Sequence, residues 1–380
     1  MTEKLTKFGS RSQEAATAEC SNGEIMKTQL FPSYTIGPDA YNEIAKICMP
    51  FGSKIAVIGG KRAINAAKNK IKNAVVDSQL SITGFFLFGG EASVENIERL
   101  KSIPEVEESD MIFAVGGGKA IDTAKVLAQR TNKTFFTFPT IASTCAACTS
   151  LGILYHPDGS LREYSFSSIP SKHIFIDSGI IANAPDKYLW AGIGDSMAKY
   201  FESSVSSRGD ELIHSQEMGV TIASMCNGPF LKYGVKALED CKKNIVSSEL
   251  EEILLGVIVS TGFASNLLNI DLTTGLAHAV YNGFTVIPQI EKHHHLHGEI
   301  VSYGILVLLA VDKQEDELRR IHKFNSDLGL PTKLSHLHCS IEDVDKVIDK
   351  ALKGIDVKHY PYVVTPDMIK NSIEYLESYN

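Results

Sequence analysis

The sequence predicts an α/β domain followed by an all-helical domain. Three observations carry that reading: short apolar runs alternate with helical patterns through the first half, strand signals fade after about residue 183, and three glycines sit at one strand-to-helix turn. In order, Lys54 to Ile58 reads as a strand and is followed by a helix from about Lys61. Ile82 to Phe88 reads as a second strand, with a helix from Val94 to Lys101. Met111 to Val115 and Thr134 to Phe138 follow, separated by a helix that opens at Gly118. Short apolar strands between helices point to a parallel sheet covered on both faces. Leu151 to Tyr155 and Arg162 to Phe166 flank Pro157-Asp158-Gly159, a turn signal, and read as an inserted hairpin; His173 to Ile176 closes the strand series. Helical patterns then run over Asp186 to Ser203, Glu211 to Tyr233, Ser248 to Thr261, Gly275 to Asn282 and Gly298 to Val311. The division expected is a polar leader over 1–26, an α/β domain over 27–183 and a helical domain over 184–380, with a functional cleft between the last two.

The glycine run is Gly116-Gly117-Gly118-Lys119, after the strand ending at Val115 and before a helix through Lys125. Glycines at such a turn let the backbone approach a bound group, and the unpaired amides of a helix start suit a phosphate. Lys119 adds a charge to the first turn. The run is not a P-loop, because Phe113 stands where that motif needs its first glycine, and it is not GxGxxG. A phosphate or pyrophosphate cradle is the reading that remains, with a plain glycine-rich turn as its alternative.

With 44% hydrophobic and 22% charged residues, the 380-residue chain has a globular composition and room for two domains. Its formal charge of -8 argues against nucleic acid and anionic membrane as main partners. The apolar stretch from Gly304 to Val311 is too short to span a bilayer. Seven cysteines without a disulfide framework suggest a reducing cytoplasm.

The helical half holds Gly194-Asp195, Gly275-Leu276-Ala277-His278 and His297-Gly298-Glu299. One carboxylate and two imidazoles are a common divalent-metal set that leaves positions open for substrate. Spacing alone does not choose between His297 and its neighbours His293, His294 and His295, which read as a solvated loop.

Together with Gly116 to Lys125, Pro139-Thr140-Ile141-Ala142-Ser143-Thr144 and Asn282-Gly283, these motifs occur in an order that resembles the glycerol dehydrogenase branch of the iron-containing alcohol dehydrogenase superfamily, over roughly residues 30 to 378. The resemblance implies the dehydroquinate synthase-like architecture, with Asp195, His278 and His297 holding one zinc or iron ion. It implies that Gly116, Gly117, Gly118, Lys119, Thr140 and Ser143 line NAD or NADP, and Asp122, Thr149, Leu151 and Tyr155 are assigned to the same wall. It also implies a homo-oligomer acting on a small molecule. A metal in that place is a Lewis acid for the substrate oxygen, and the nicotinamide exchanges the hydride.

Three departures from that pattern matter. Where the branch has Ala-Ser-Thr-Asp, this chain has Ala142-Ser143-Thr144-Cys145, a weaker partner for hydroxyls that no longer repels an anion. The cysteine form resembles the hydroxycarboxylate dehydrogenase type, and one CxxC, Cys145 to Cys148, is by itself a weak redox or zinc signal. Lys199 replaces the histidine that classical members place one turn after the aspartate; it should face the same cleft, either as an ion pair or snorkelling residue or to hold a substrate carboxylate. Around Gly59, Gly60, Lys61 and Arg62, the acid that binds the adenosine ribose in NAD-preferring relatives is missing, so a 2′-phosphate is tolerated. The leading expectation is a metal-dependent NAD(P)(H) oxidoreductase of a small 2-oxo or 2-hydroxy acid. A glycerol or small-polyol dehydrogenase is the alternative; behind it stand a dehydroquinate synthase-like lyase, disfavoured by Asp195, and a silent nucleotide-binding relative.

Overall fold

The structure, a computed structural model, describes residues 28–167 and 169–379, together with the backbone of two short strands, Thr17–Glu19 and Ile25–Lys27, which pair antiparallel. Apart from those two strands, the polar leader expected over 1–26 lies outside the described residues.

Six strands form one wholly parallel sheet in the order Ser33–Gly37, His173–Asp177, Thr134–Pro139, Met111–Gly116, Lys54–Gly59, Ser81–Leu87. The near-continuous apolar runs are explained by burial on both faces. Ile55, Val57, Met111, Phe113, Val115, Phe136, Phe138 and Phe175 pack on one face with Ala67 and Ile71 of the helix Lys61–Val75. Their alternates Ala56, Ile58, Ile112, Ala114, Phe135, Ile174 and Ile176 point the other way, into a core that continues through the helical half. The expected hairpin is present as Gly152–Tyr155 against Leu161–Ser165.

The edge strand Ser33–Gly37 was not among the predicted elements, because its polar, alternating residues lack the apolar run of a central strand. Its neighbour pins it: the two ring nitrogens of His173 lie 2.7 Å from Ser33 Oγ and 2.9 Å from Thr35 Oγ1.

After Asp177 the structure is helical. The expected helix Glu211 to Tyr233 is two, His214–Ala223 and Gly228–Lys242, because Pro229 lacks an amide hydrogen and starts a new helix. The helix expected to stop at Thr261 continues through a widened π turn over Gly256–Ser260 to Leu267. That stretch, Ser248–Leu267, is long and apolar enough to cross a membrane, a longer run than the one read from the sequence, and most of it is buried inside the protein. Helices Glu315–Leu328, Val344–Lys353 and Pro366–Ser378 complete the half. At its centre lies His297–Val311, buried on every side.

Burial lowers the His173 imidazole from 6.5 to about 4, although Glu43 pulls slightly the other way. Neutral His173 is thus favoured by the fold. Its contribution is complete above pH 6.5 and is lost as the pH falls from 6.5 through 4, on the order of 3 kcal/mol. In urea melts across this range, His173→Asn should lose stability less steeply with acid than the parent protein.

Candidate active site

One cleft of about 3430 Å³ runs past the carboxyl ends of the strands and the helical half, several times the size of a small-ligand pocket. Every predicted site residue lines it except Gly59. Gly59 is buried, and a Cβ there would meet the carbonyl oxygen of Val115 at 2.3 Å, so its absence of side chain serves strand packing. Gly60, which does line the cleft, is the informative glycine: a Cβ on it would meet only the Phe88 ring, at 3.5 Å.

The glycine turn forms as read. Gly117 begins the helix Gly118–Arg130 without a side-chain cap, which leaves first-turn amides facing the cleft. The reasons for the glycines differ from those expected. Gly116 has φ +148, so its own backbone demands glycine, while a Cβ on Gly117 would meet the tip of the Ile141 side chain at 2.5 Å. At Gly118 the nearest atom would be Thr144 Oγ1 at 3.4 Å, which the fold accommodates. Lys119, half exposed at the cleft, has its ammonium 2.5 Å from Glu91 Oε1 and over the Tyr155 ring.

Behind this wall sits a buried cation. Lys125 has no exposure and donates to Asp122 at 2.9 Å, to Thr149 Oγ1 at 3.3 Å and to the Leu151 carbonyl at 2.6 Å. Asp122 also accepts from the Ile153 amide. The polar atoms of Asp122, Thr149 and Leu151 therefore hold the wall together. Thr140, which donates its amide to the Gly116 carbonyl, and Ser143 shape the neighbouring loop.

Asp195, His278 and His297 come together, their ligating atoms within 4.8 Å of one another. Two helices are responsible. Asp195 lies on Lys187–Ser206 and His297 opens His297–Val311, and these helices touch backbone to backbone: a Cβ on Gly298 would meet Ala191 O at 1.9 Å, and one on Gly194 would meet Gly298 O at 2.4 Å. His278 enters from Leu276–Phe284. Asp195 Oδ1 stands 3.0 Å from His297 Nε2 and 3.5 Å from His278 Nε2. These spacings bracket the roughly 3.3 Å between ligand atoms around a tetrahedral ion with bonds of about 2.0–2.1 Å.

Glu202 is the residue the sequence reading missed. It is fully buried, two turns after Asp195 on the same helix, and accepts from the amides of Gly275 and His278 at 2.9 and 2.8 Å. Its other oxygen accepts from His278 Nδ1 at 2.6 Å, which fixes the tautomer and leaves the Nε2 lone pair for a metal. The seven-residue interval from Asp195 was a usable signal, since it places the two carboxylates on nearly the same helix face.

Burial works to raise the Asp195 carboxyl, but His297 and His278 outweigh it and hold it well below the usual carboxylate range. Burial works to lower His278, yet Glu202 and Asp195 bring it up to about 10. The site thus favours positive charge between the two carboxylates, which a divalent ion supplies. The donor set, one oxygen and two imidazole nitrogens, fits zinc or ferrous iron.

Two expectations change. Lys199 is neither exposed nor ion-paired: it is 6% exposed, lines the cleft and donates to the Thr273 carbonyl at 2.7 Å. Cys145 also lines the cleft, its thiol raised by burial despite the nearby Lys199 ammonium. The histidines before His297 are not simply a solvated loop, since His295 has a side chain only 5% exposed and is bonded to Glu299.

The family model described as Iron-containing alcohol dehydrogenase matches residues 32–178. Hydroxycarboxylate dehydrogenase A of Escherichia coli is 34% identical over 86% of this chain and 90% of its own length. Glycerol dehydrogenase of Thermotoga maritima is also 34% identical, over 90% of this chain and 94% of its own. The chain belongs to the iron-containing alcohol dehydrogenase family. The crystal structure of glycerol dehydrogenase from Schizosaccharomyces pombe superposes with a TM-score of 0.81 at 27% identity, covering 93% of this chain and 91% of that one. The protein is accordingly a metal-dependent alcohol dehydrogenase in the broad sense, an oxidoreductase acting on CH–OH groups.

Glu202→Gln keeps shape but removes the charge behind His278. Metal affinity, measured by competition with a chelator, should fall on the order of 10- to 100-fold while the melting temperature stays close to that of the parent protein.

Proposed function

We propose that this dehydrogenase interconverts a small 2-oxo acid and its 2-hydroxy acid, using NADP(H) or NAD(H) and one divalent metal ion, zinc or iron. The observation that carries the reading is Lys199. Its ammonium is buried in the cleft wall one helical turn from Asp195, with a backbone carbonyl as its partner and no carboxylate within ion-pair distance among the described residues. A buried cation without a counter-ion favours an anionic ligand. Cys145, uncharged where the resemblance has aspartate, removes a repulsion from the same wall.

In this reading residues 27–183 serve the cofactor and 184–380 the metal and substrate. Asp195, His278 and His297 would hold the metal, with Glu202 orienting His278. Lys199 would bind the substrate carboxylate and so orient the reacting carbon. First-turn amides of Gly118–Arg130 would face the pyrophosphate, with Gly60, Lys61 and Arg62 near the adenosine ribose. When bound, the metal supplies a Lewis acid for the substrate oxygen and the nicotinamide supplies or accepts the hydride. Fixing the carboxylate against these groups lowers the entropic part of the barrier.

A glycerol or small-polyol dehydrogenase is the second reading, favoured by the names of relatives, several of which are glycerol dehydrogenases at similar identity. A substrate screen separates the two: 2-oxo acids with NADH and NADPH in one direction, glycerol and diols with NAD and NADP in the other. Reduction of 2-oxo acids with poor glycerol oxidation is the expected outcome; efficient glycerol oxidation without 2-oxo acid reduction overturns the first reading. Lys199→Met should raise KM for the acid at least tenfold, about 1.4 kcal/mol, and leave a neutral aldehyde of similar size little changed. Equal losses on both would assign the lysine to the metal site instead.

The open space at Gly60 supports use of NADPH. Gly60→Asp should fit without disturbing the fold and should shift the ratio of kcat/KM toward NADH, because the new carboxylate repels a 2′-phosphate.

A further inference from the structure

A second group of imidazoles lies beside the metal triad. His295 Nδ1 is 2.8 Å from Glu299 Oε1, and His295 Nε2 is 2.9 Å from His338 Nδ1. The His338 ring lies flat against His293, with centroids 3.7 Å apart and planes within 2°. A carboxylate only accepts, so Nδ1 of His295 carries the proton and donates to Glu299. The Nε2 of the neutral ring then keeps its lone pair, aimed at His338. Glu299 is itself held, since its other oxygen accepts from the Leu296 amide at 2.9 Å. This is the arrangement in which a carboxylate orients a metal-binding histidine.

His338 is equally specific. It closes the short turn Leu334–Leu337 in the left-handed conformation, φ +55, a position where glycine is the cheapest residue. An imidazole there costs backbone strain, and it meets His295 nitrogen to nitrogen. The 2.9 Å contact is a hydrogen bond from His338 Nδ1 to His295 Nε2; once Nδ1 gives up its proton, two nitrogens this close can meet one ion at right angles with bonds of about 2.05 Å, the geometry of tetragonal copper(II) or nickel(II).

We propose that His295 Nε2 and His338 Nδ1 form a peripheral binding site for a borderline divalent transition metal, separate from Asp195, His278 and His297. Binding moves the His338 proton from Nδ1 to its other ring nitrogen, Nε2, so no proton need be lost. Glu299 fixes one ligand and the stacked His293 ring fixes the plane of the other. Water completes the coordination, since His338 is exposed. An ion here ties the turn after Leu337 to the segment that carries His297.

The test is the nickel stoichiometry of the full-length chain after chelator treatment, by equilibrium dialysis and metal analysis. The parent protein should hold two Ni²⁺ per chain. His338→Ala and His338→Gln should each hold one and keep turnover within about twofold once the triad is loaded with its metal. His336→Ala, whose ring nitrogen accepts from the Thr332 amide instead, should still hold two. Asp195→Asn with His278→Ala should lose the other equivalent, and its Cu²⁺ spectrum should show splitting from two equatorial nitrogens that disappears when His338→Ala is added. A parent protein that holds no more Ni²⁺ than the two His338 variants, or a copper spectrum indifferent to His338, would overturn the proposal. The equivalent assigned to the triad is counted separately, so its loss bears on the catalytic reading alone.

Discussion

The active site rests on how closely the helix Lys187–Ser206 can be approached from two sides. At Gly192 a Cβ would lie 2.0 Å from the Ala142 carbonyl oxygen, and at Gly194 another would lie 2.4 Å from that of Gly298. Residues two apart on a helix face in nearly opposite directions. One glycine therefore brings in the loop beside the expected cofactor, and the other brings in the helix that carries His297. Asp195 follows directly. Its oxygen reaches His297 at 3.0 Å because no side chain separates the two helix backbones. A methyl group at Gly194 or Gly298 would force the helices apart by more than the tolerance of a metal site, so these glycines bear on catalysis without touching a substrate.

Most of the fold was legible because the physics is local. The strands ending at Gly59, Gly116 and Pro139 are apolar runs whose alternate residues are both buried, and helix starts follow the glycines of the first two. The edge strand Ser33–Gly37 was hidden because half its surroundings are solvent, and its stabilising contacts come from His173, some 140 residues away. The break at Asn227-Gly228-Pro229 was readable from the proline; the π turn at Gly256–Ser260 was not, since it answers to packing rather than to composition.

The site was legible as residue types in order, and less so as partnerships. Asp195, His278 and His297 meet as the motif order implied. Glu202, Glu91 and Thr273 decide what His278, Lys119 and Lys199 are free to do, and each lies 28 to 76 residues from its partner. Lys119 illustrates the consequence. Its place in the motif predicts a phosphate ligand, and a carboxylate from the preceding βα unit pairs with it.

Three buried charges then divide the labour along one cleft. Lys125 is surrounded by Asp122, Thr149 and Leu151, its hydrogen-bonding capacity used within the protein, and it stiffens the wall behind the glycine turn. Glu202 is satisfied by two amides and an imidazole, and its charge is spent on His278. Lys199 differs from both: one carbonyl partner leaves two donors of an ammonium unassigned. Desolvating such a group costs free energy that an opposite charge can return, and the cleft where the return is available also holds Cys145 and the three residues proposed to hold the metal. A carboxylate next to a carbonyl is the small-molecule shape that meets the ammonium and the metal site together. The same geometry offers a neutral triol no comparable gain, and that difference is the physical basis of the proposed preference for an acid.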